Sequence, residues 1–535
     1  MTQGDKFNIQ SVAIIGSGAA GLTTLFELLN TKKEGSTALK YTNNGELDVP
    51  ALENNDPAFT KLVAFEQTSR VGGIWAPSFD SPDIIPQEAL DTEKYNDPFT
   101  LKPKTTLPQE LGTGDYSQEN PLYLKNKNAG FTWNNSGIYR HLYSNVPNRY
   151  LRNSFIPYEE KPQHEFSTEN VLDPLITNSK VTNRLLQFAE KFHLVDHVRL
   201  NSEVVDIRKT SDGKQWKVTV KKTSKNDPNA QWYTEYFDAV IVSTGHYSVP
   251  YIPRIKGLSS WNKELPSSLF HSKSFRDPKI FKDKVCLFVG TGLSGIDILQ
   301  YAFPVAKQVI VSRSVGKEEI YEWLTKAANS DGLIVKPRIK ELKPSKQRKV
   351  IFEDDSIISG VDYIIFSTGY HWHYPFLNTE DTGVSIVGKN GASPDGSSMV
   401  KGLYRNTFSI KDPTLAFVGV TLTPFKWPSF ELEAAAIAGT WTNNGAWPDK
   451  QDQVASVQIR VEQTGESILF HYYPVTHFAK YIEEVREFLP KGRDATTIFD
   501  ADHIDDMYAS MVAAERLFYQ LKNGEIPIED TVGQP

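Results

Sequence analysis

Two glycine-rich runs in the sequence have the spacing that binds a pyrophosphate group. The first, at residues 16–21, reads Gly-Ser-Gly-Ala-Ala-Gly and follows an apolar run at residues 11–15. The second, at residues 290–295, reads Gly-Thr-Gly-Leu-Ser-Gly and follows a similar run at residues 285–289. In such a run the first glycine permits a tight turn, the second lets the backbone approach the phosphates, and the third lets a helix pack closely. One run is a weak signal, but two in this strand-to-helix context predict two bound dinucleotides.

The residue at the end of the following strand distinguishes the two nucleotides. After the first run, the apolar residues 62–65 end at Glu66, whose carboxylate can accept hydrogen bonds from ribose hydroxyls and would repel a 2′-phosphate. After the second run, residues 308–311 lead to Ser312 and Arg313, a hydroxyl and a guanidinium that suit a 2′-phosphate. The first site is therefore predicted to take FAD or NAD, and the second NADP.

The apolar runs around the two glycine-rich turns predict an α/β fold with two Rossmann-like dinucleotide-binding domains, one inserted in the other. Residues 239–242 and 363–366 are apolar runs that both lead into Ser-Thr-Gly, and the second glycine-rich unit lies between them. The expected domains are residues 1–246 (FAD, first part), 247–366 (NADP) and 367–535 (FAD, second part, closed by helices near 477–490 and 500–522).

Two polar, turn-rich segments interrupt the first part of the FAD domain. Residues 31–60 are predicted to form a surface insertion, which explains why Glu66 lies farther from the glycines than usual. Residues 76–135 are rich in Pro, Asp, Asn, Thr and Lys with weak periodicity, and are expected to form a long, mostly irregular excursion over the surface.

The composition excludes several classes of protein. The formal charge is −7 without a concentrated basic block, which argues against nucleic acid as a partner. The single cysteine, Cys286, leaves no pair for dithiol redox chemistry, which excludes a disulfide reductase and is typical of a reducing compartment. No apolar stretch approaches the ~18 residues of a membrane span. The protein is predicted to be cytoplasmic. Peripheral attachment to an internal membrane and the oligomeric state both stay open.

Further motifs resemble those of the flavin-containing monooxygenases, class B flavoprotein monooxygenases with fungal and yeast members. The matching segments, from about residue 11 to 434, are Phe65-Glu66 with Gly72-Gly73-Ile74-Trp75 (FE…GGxW), 139–147 (YxxLxTNxP), 290–297 (GxGxSGxD), 367–370 (ATGY), and 417–419 with 427–431 (FVG…FPxxE). The family's FxGxxxHxxx(Y/F/W) motif is present only in part, through His271 and Phe275. Phe275 in place of tryptophan favours the flavin-containing branch over the Baeyer–Villiger branch.

This resemblance implies FAD and NADPH as cofactors and no metal; the pair His371 and His373 is interpreted as structural. The residues expected at the FAD site are Gly16, Gly18, Ala19, Ala20, Gly21, Glu66, Gly73, Ile74, Trp75 and Asn145. The residues expected at the NADP site are Ser144, Asn145, Gly290, Gly292, Ser294, Gly295, Ile296, Asp297, Ser312 and Arg313. Asn145 is the one side chain that the resemblance places at the reaction centre.

In the chemistry that the resemblance implies, NADPH reduces FAD and the reduced flavin takes up O₂ to form a C4a-hydroperoxide. A soft sulfur or nitrogen atom of a small molecule then attacks the distal oxygen. Three alternatives stay open from the sequence: a Baeyer–Villiger oxygenase acting on ketones, an uncoupled NADPH oxidase, and a non-catalytic FAD/NADPH-binding sensor.

Overall fold

The computed structural model describes residues 7–41, 47–48, 54–77, 83–126, 133, 135–156, 175–224, 227–316, 318–389, 392–443, 445 and 447–528. Parts of both expected insertions lie outside these residues.

The strands are short and numerous. In chain order they are β1 (Ser11–Ile15), β2 (Lys40–Tyr41), β3 (Leu47–Asp48), β4 (Lys61–Phe65), β5 (Leu122–Lys125), β6 (Val198–Arg199), β7 (Ser202–Lys209), β8 (Trp216–Lys222), β9 (Asn229–Phe237), β10 (Ala239–Val242), β11 (Val249–Pro250), β12 (Leu269–His271), β13 (Val285–Val289), β14 (Gln308–Ser312), β15 (Ile334–Lys336), β16 (Ile339–Lys343), β17 (Lys349–Phe352), β18 (Ile357–Ile358), β19 (Tyr363–Phe366), β20 (Tyr370–His371), β21 (Ser385–Val387), β22 (Met399–Lys401), β23 (Leu403–Tyr404), β24 (Phe408–Ser409) and β25 (Leu415–Phe417).

The α-helices range from single turns to five turns. They are α1 (Ala19–Leu29), α2 (Gln87–Asp91), α3 (Pro98–Leu101), α4 (Asn178–Lys191), α5 (Leu258–Glu264), α6 (Leu293–Ala302), α7 (Glu322–Ala327), α8 (Thr379–Thr382), α9 (Lys426–Trp441), α10 (Lys450–Thr464), α11 (Phe478–Val485), α12 (Ala495–Ile498) and α13 (Asp505–Lys522).

The larger of the two dinucleotide-binding sheets has seven strands in the order β23-β24-β25-β10-β1-β4-β6. Its members β25, β10, β1, β4 and β6 run parallel, and the β23–β24 hairpin adds an antiparallel edge. Strands β1 and β10 are almost wholly buried, as expected for parallel strands covered on both faces, which is why they read as continuous apolar runs. Helix α1 follows β1 and packs against α9.

The second dinucleotide-binding sheet has five parallel strands in the order β12-β19-β13-β14-β15. The chain enters the inserted unit from β10 through β11 and leaves it from β19 through β20. β11 and β20 pair antiparallel, with Val249 opposite His371 and Pro250 opposite Tyr370. The prediction of an α/β fold with one Rossmann-like domain inserted in another is therefore confirmed.

The expectation of a surface excursion at residues 76–135 is wrong for much of the described segment. Leu90, Leu101 and Trp133 are at most 2% exposed and pack into the same core as strand β13 and helix α5. The segment also supplies β5, the edge strand of a four-stranded antiparallel sheet in the order β5-β9-β8-β7. The apolar residues of this segment show no long period because they come from short helices and loops that join a core built largely by distant strands.

The segment at residues 31–60 is also more than a surface insertion. Leu39, Ala58 and Phe59 are buried in the core of the larger sheet, and the Thr37 backbone N–H donates to the carbonyl oxygen of Lys491 at 2.9 Å. Its described residues therefore connect the N-terminal unit to the C-terminal part of the chain.

The C-terminal part joins both units. Helices α11 and α13 lie within the segments expected to be helical, and α13 packs against α6 and α7 of the inserted unit. Arg493 is fully buried and donates to Glu27 of α1 at 2.8 Å and to Glu431 of α9. This ion cluster holds the C-terminal segment against the helix that follows the first glycine-rich run.

Candidate functional site

The carboxyl ends of the two parallel sheets open into one shared cavity of about 1180 Å³. Its walls include parts of the first glycine-rich turn after β1, Gly292 and the first turns of α6, and the two Ser-Thr-Gly segments after β10 and β19. Pockets for single small molecules span roughly 300–1,000 Å³. The volume and the two glycine-rich walls together fit more than one large ligand.

The first glycine-rich turn has the geometry that its sequence predicts. Gly16 has a φ of +101°, which a residue with a side chain rarely adopts. A Cβ atom on Gly21 would lie 2.0 Å from the carbonyl oxygen of Gly16, so α1 packs on the turn only because glycine stands there. The turn thus leaves the N-terminus of α1 facing the cavity, as a pyrophosphate requires.

The second glycine-rich turn repeats this geometry. Gly290 has a φ of +95°, and a Cβ atom on Gly295 would lie 2.5 Å from the carbonyl oxygen of Gly290. Apart from its two chain neighbours, no atom of the described residues lies within 4 Å of the position that a Cβ atom on Gly292 would take. The backbone at Gly292 is therefore open to a ligand, and the turn fits a second dinucleotide.

The segment Gly72-Gly73-Ile74-Trp75 lies against the first turn. A Cβ atom on Gly73 would lie 2.9 Å from the Cα atom of Gly18, so this approach also requires glycine. The carbonyl oxygen of Ile74 accepts a hydrogen bond from Ser136 Oγ at 2.6 Å, which anchors the segment to the end of the 76–135 region. Ile74 and Trp75 line the cavity.

Glu66 lies at the end of β4 with its carboxylate buried beside the first turn. One carboxylate oxygen accepts from Ser17 N and Ser17 Oγ at 3.1 and 3.0 Å, and the other from Thr68 N and Thr68 Oγ1, both at 2.9 Å. These four bonds fix the carboxylate at the wall of the cavity, next to the first turn, where a ribose would lie.

The end of β14 differs from the sequence expectation in one respect. Ser312 is buried and its hydroxyl donates to the carbonyl oxygen of Pro337 at 2.8 Å, so this group faces β15. Arg313 donates to Asn329 Oδ1 at 2.5 Å. Arg338 is an exposed arginine that the sequence did not identify. It donates to Ser314 Oγ from Nη2 at 2.9 Å and from Nε at 3.1 Å. Arg338 comes two residues after β15, and only strand pairing brings it near the end of β14.

Asn145 and Ser144 lie on the cavity wall between the 76–135 region and α4. Ser144 is fixed by Ile176, whose N–H donates to Ser144 Oγ at 3.0 Å and whose carbonyl accepts from Ser144 N at 2.8 Å. The neighbouring Asn145 side chain is exposed to the cavity, and within the described residues its amide has no hydrogen-bond partner. Its donor and acceptor are thus available to a ligand.

The structure brings most of the expected residues to one cavity. Those in its lining are Gly16, Gly18, Ala19, Ala20, Glu66, Gly73, Ile74, Trp75, Ser144, Asn145, Gly292, Ser294 and Asp297. Among the described residues, those outside the lining are Gly21, Gly290, Gly295, Ile296, Ser312 and Arg313. The three glycines in this second set act through packing, as their close approaches show.

Several titratable side chains on the cavity wall have perturbed pKa values, and three of these values lie near neutral pH. Burial raises the pKa of Asp297, in the second turn of α6, to about 8. Burial lowers the pKa of Lys273 to about 7 and that of Lys426 to about 8. The two lysines were missed from the sequence, because nothing in their local pattern distinguishes them from surface lysines.

Lys273 joins three parts of the chain at the wall. Its Nζ donates to the carbonyl oxygens of Trp133 and Ser248, both at 2.8 Å, and lies 3.7 Å from Asp83 Oδ2. The partial FxGxxxHxxx motif lies just behind it. His271 is fully buried, accepts from Lys273 N at 3.1 Å, and has a pKa lowered to about 3 by burial.

Of the remaining sequence candidates, Phe275 and Cys286 lie outside the cavity lining, whereas His371 and His373 belong to it. Phe275 is fully buried and packs its ring edge on Tyr139 at 4.8 Å between centroids. Cys286 is buried in β13, and burial raises the pKa of its thiol to about 12, so it is an unreactive thiol. His373 contacts the Lys102 carbonyl oxygen at 2.7 Å, and the described part of the chain holds no cluster of three metal-ligating side chains.

Comparison with known proteins identifies the family. Residues 159–322 and 324–502, more than half of the chain, match the family model described as flavin-binding monooxygenase-like. The chain belongs to this family. It is accordingly an FAD- and NADPH-dependent monooxygenase, and the two glycine-rich turns of one cavity fit those two cofactors.

The relatives of this flavin monooxygenase include plant and yeast enzymes. It is 27% identical to the flavin-containing monooxygenase FMO GS-OX5 of Arabidopsis thaliana over 84% of this chain and 78% of that one. It is 30% identical to a thiol-specific monooxygenase of Saccharomyces cerevisiae over 59% of this chain and 69% of that one. The structure of an S-allyl-L-cysteine S-oxygenase from Allium sativum superposes with a TM-score of 0.58 at 22% identity, covering 98% of this chain and 95% of that one.

Among the residues that the structure describes, no helix is both long enough and apolar enough to cross a membrane.

Proposed function

We propose that this monooxygenase transfers one oxygen atom of O₂ to a soft nucleophilic atom, sulfur or nitrogen, of a small molecule. The observation that carries this proposal is the single cavity that both glycine-rich turns share with Asn145. A nicotinamide and a flavin bound at these turns would meet in one enclosed space, which direct hydride transfer needs. The flavin, when bound and reduced, supplies the chemistry that activates O₂.

Sulfur is the favoured atom within this class. The yeast relative is named a thiol-specific monooxygenase, and the garlic protein of the same fold is named an S-oxygenase. The chain itself needs no nucleophilic side chain for such a transfer, and its one cysteine is buried with a raised pKa. The protein's part is to bind both nucleotides, orient them and keep water away from the reacting atoms.

Asn145 is proposed as the catalytic residue of this transfer. Its amide N–H groups are available to a ligand, and the paired backbone of Ser144 and Ile176 holds it in place. Donation of a hydrogen bond in a dry cavity would retain activated oxygen at the flavin until substrate arrives. We also propose that residues 247–366 form the NADP domain and that residues 1–246 and 367–535 together form the FAD domain.

The test is NADPH consumption by the purified FAD-loaded protein with thiols, thioethers, amines and ketones, with H₂O₂ measured in parallel. The expected result is NADPH use that rises with a sulfur or nitrogen compound and yields that compound with one added oxygen atom. Esters formed from ketones would instead establish a Baeyer–Villiger oxygenase. Stoichiometric H₂O₂ with every compound would establish an oxidase, and flavin binding without oxygen uptake a sensor.

The Asn145→Ala variant tests the residue. It is expected to retain FAD but to release more H₂O₂ per NADPH, because activated oxygen is lost before transfer. The Asn145→Asp variant is the matched control, since it keeps the size of the side chain and loses the donor, and it should show the same increase. An unchanged ratio of H₂O₂ to product in both variants would remove Asn145 from the reaction.

A further inference from the structure

Lys426 occupies an unusual place, at the first residue of α9 and on the wall of the cavity. Its Nζ donates to the carbonyl oxygen of Gly419 at 2.9 Å and to that of Thr421. These are two of the three bonds that a lysine ammonium can donate, and within the described residues they are its only hydrogen bonds. A third N–H is therefore available to a ligand in the cavity.

Lys426 holds the loop at residues 418–424, which follows β25. A buried polar network also fixes this loop. Gly419 N donates to Glu433 at 2.6 Å, and Glu433 also accepts from the Tyr481 hydroxyl at 3.1 Å. Thr421 Oγ1 bonds the Tyr481 hydroxyl at 3.2 Å. Such a connected network keeps the loop, and with it the ammonium, in one position.

The strand order shows which half of FAD this loop faces. The pyrophosphate turn follows β1, and Glu66, the ribose acceptor, lies at the end of β4 on one side of β1. A dinucleotide whose adenosine half runs toward β4 must extend its other half across the ends of β10 and β25. Neighbouring strands are about 4.8 Å apart, so the end of β25 lies roughly 10 Å from that of β1. The flavin half of FAD is therefore directed at the loop that Lys426 holds.

Two features place positive charge at this end of the cavity. Lys426 is the first residue of a 16-residue helix whose dipole also places partial positive charge there. Glu433 is close enough to raise the pKa of Lys426 against the lowering effect of burial. The other titratable groups around it are His246, whose pKa burial lowers well below its usual value, His471, lowered to about 3, and Tyr481, raised. At neutral pH Lys426 is the charged group among them that favours an anion.

We propose that Lys426 faces the flavin half of bound FAD and makes that flavin easier to reduce. A hydride from NADPH brings two electrons and one proton, so the flavin gains one negative charge when no second proton follows. A fixed ammonium in a cavity of low dielectric constant stabilises that charge more than water would. Lys426 thereby shifts the equilibrium between NADPH and flavin toward reduced flavin.

The test is the two-electron midpoint potential of the bound flavin, measured without substrate or O₂ in the wild type and in four variants. Lys426→Met is expected to reduce the equilibrium constant for flavin reduction at least tenfold, which corresponds to a potential about 30 mV more negative. Lys426→Arg keeps the charge and should restore most of the wild-type potential. Glu433→Gln removes the opposing negative charge and should move the potential in the opposite direction, to a more positive value.

Lys273→Met is the matched control. Lys273 is a second lysine on the same cavity wall, also bonded to two backbone carbonyls, but on the side of the inserted sheet. Its replacement should leave the midpoint potential unchanged. An equal shift in Lys273→Met and Lys426→Met, or a wild-type potential in Lys426→Met, would overturn the proposal.

Two further outcomes are decisive. If Lys426→Met does not retain FAD, the potential of Glu433→Gln decides alone, and a value equal to or below that of the wild type overturns the proposal. The inference rests on the FAD cofactor and not on the substrate. A protein that oxygenates no sulfur or nitrogen compound can still show these shifts, so failure of the proposed function would be recognised separately.

Discussion

Replacing Gly21 by alanine tests the nucleotide assignment of the first turn. The added methyl group would lie 2.0 Å from the carbonyl oxygen of Gly16 and 3.0 Å from Ser243 Oγ. Ordinary van der Waals contacts begin near 3.4 Å, so α1 must retreat from the turn by about 1.4 Å. The Gly16 carbonyl oxygen also accepts a hydrogen bond from Ser243 Oγ at 3.0 Å, which opposes its turning aside. The N-terminus of α1 therefore moves away from the pyrophosphate.

The size of this movement sets the expected loss. A misplacement of about 1 Å can cost on the order of 100-fold in a preorganised site. We therefore expect FAD affinity to fall at least 100-fold in Gly21→Ala, so that the purified protein contains little flavin. The matched variant is Gly295→Ala, whose methyl group meets the Gly290 carbonyl oxygen at 2.5 Å in the second turn. It should retain FAD and lose affinity for NADP⁺.

The assay is flavin absorbance per protein after purification, followed by titration of NADP⁺ into the FAD-loaded forms. The reasoning predicts opposite patterns in the two variants. Loss of both nucleotides in both variants would indicate general unfolding, which circular dichroism would detect. Full FAD content in folded Gly21→Ala would refute the assignment of this turn to the FAD pyrophosphate.

Three further predictions concern stability and NADP⁺ binding. Arg493→Met should lower the free energy of unfolding, measured by urea denaturation, by about 3–5 kcal/mol, because two buried carboxylates lose their partner. Arg486→Met removes one partner of an exposed ion pair and should change the free energy of unfolding by less than about 1 kcal/mol. Burial raises the pKa of Asp297 to about 8, so its carboxyl is mostly neutral at pH 7. Its ionisation should weaken NADP⁺ binding as the pH rises through 8. The Asp297→Asn variant should bind NADP⁺ with an affinity that does not depend on pH in this range. Arg313→Ala should weaken NADP⁺ about tenfold or more and NAD⁺ little, measured by fluorescence titration, and equal losses would exclude Arg313 from the phosphate site.

The candidate site was predictable where its determinants are local. The glycine spacing, the apolar runs before it and the acidic residue after β4 are short-range patterns. They predicted Gly18, Gly292 and Glu66 as nucleotide-site residues, and all three line the cavity. Ser312 was expected to face the nucleotide, but its hydroxyl bonds the Pro337 carbonyl oxygen because β15 pairs beside β14. A side chain's direction at a strand end depends on the neighbouring strand, which the local sequence does not reveal.

The two lysines on the cavity wall could not be identified from the local sequence either. Lys273 and Lys426 differ from solvent-exposed lysines only through carbonyl acceptors supplied by the folded backbone. Their lowered pKa values arise from burial, which is a property of the assembled walls.

By itself, the sequence determined that two dinucleotide units exist and that one is nested in the other, and it predicted a different nucleotide for each. It did so because a phosphate-binding turn is made by consecutive residues whose φ angles and close approaches only glycine permits. The tertiary structure alone decided that residues 85–101 pack on the inserted unit, that Arg493 joins α1 to α9, and that both turns open into one cavity. Those features join residues up to 466 positions apart, and their free energy comes from burial and pairing that exist only once the chain has folded.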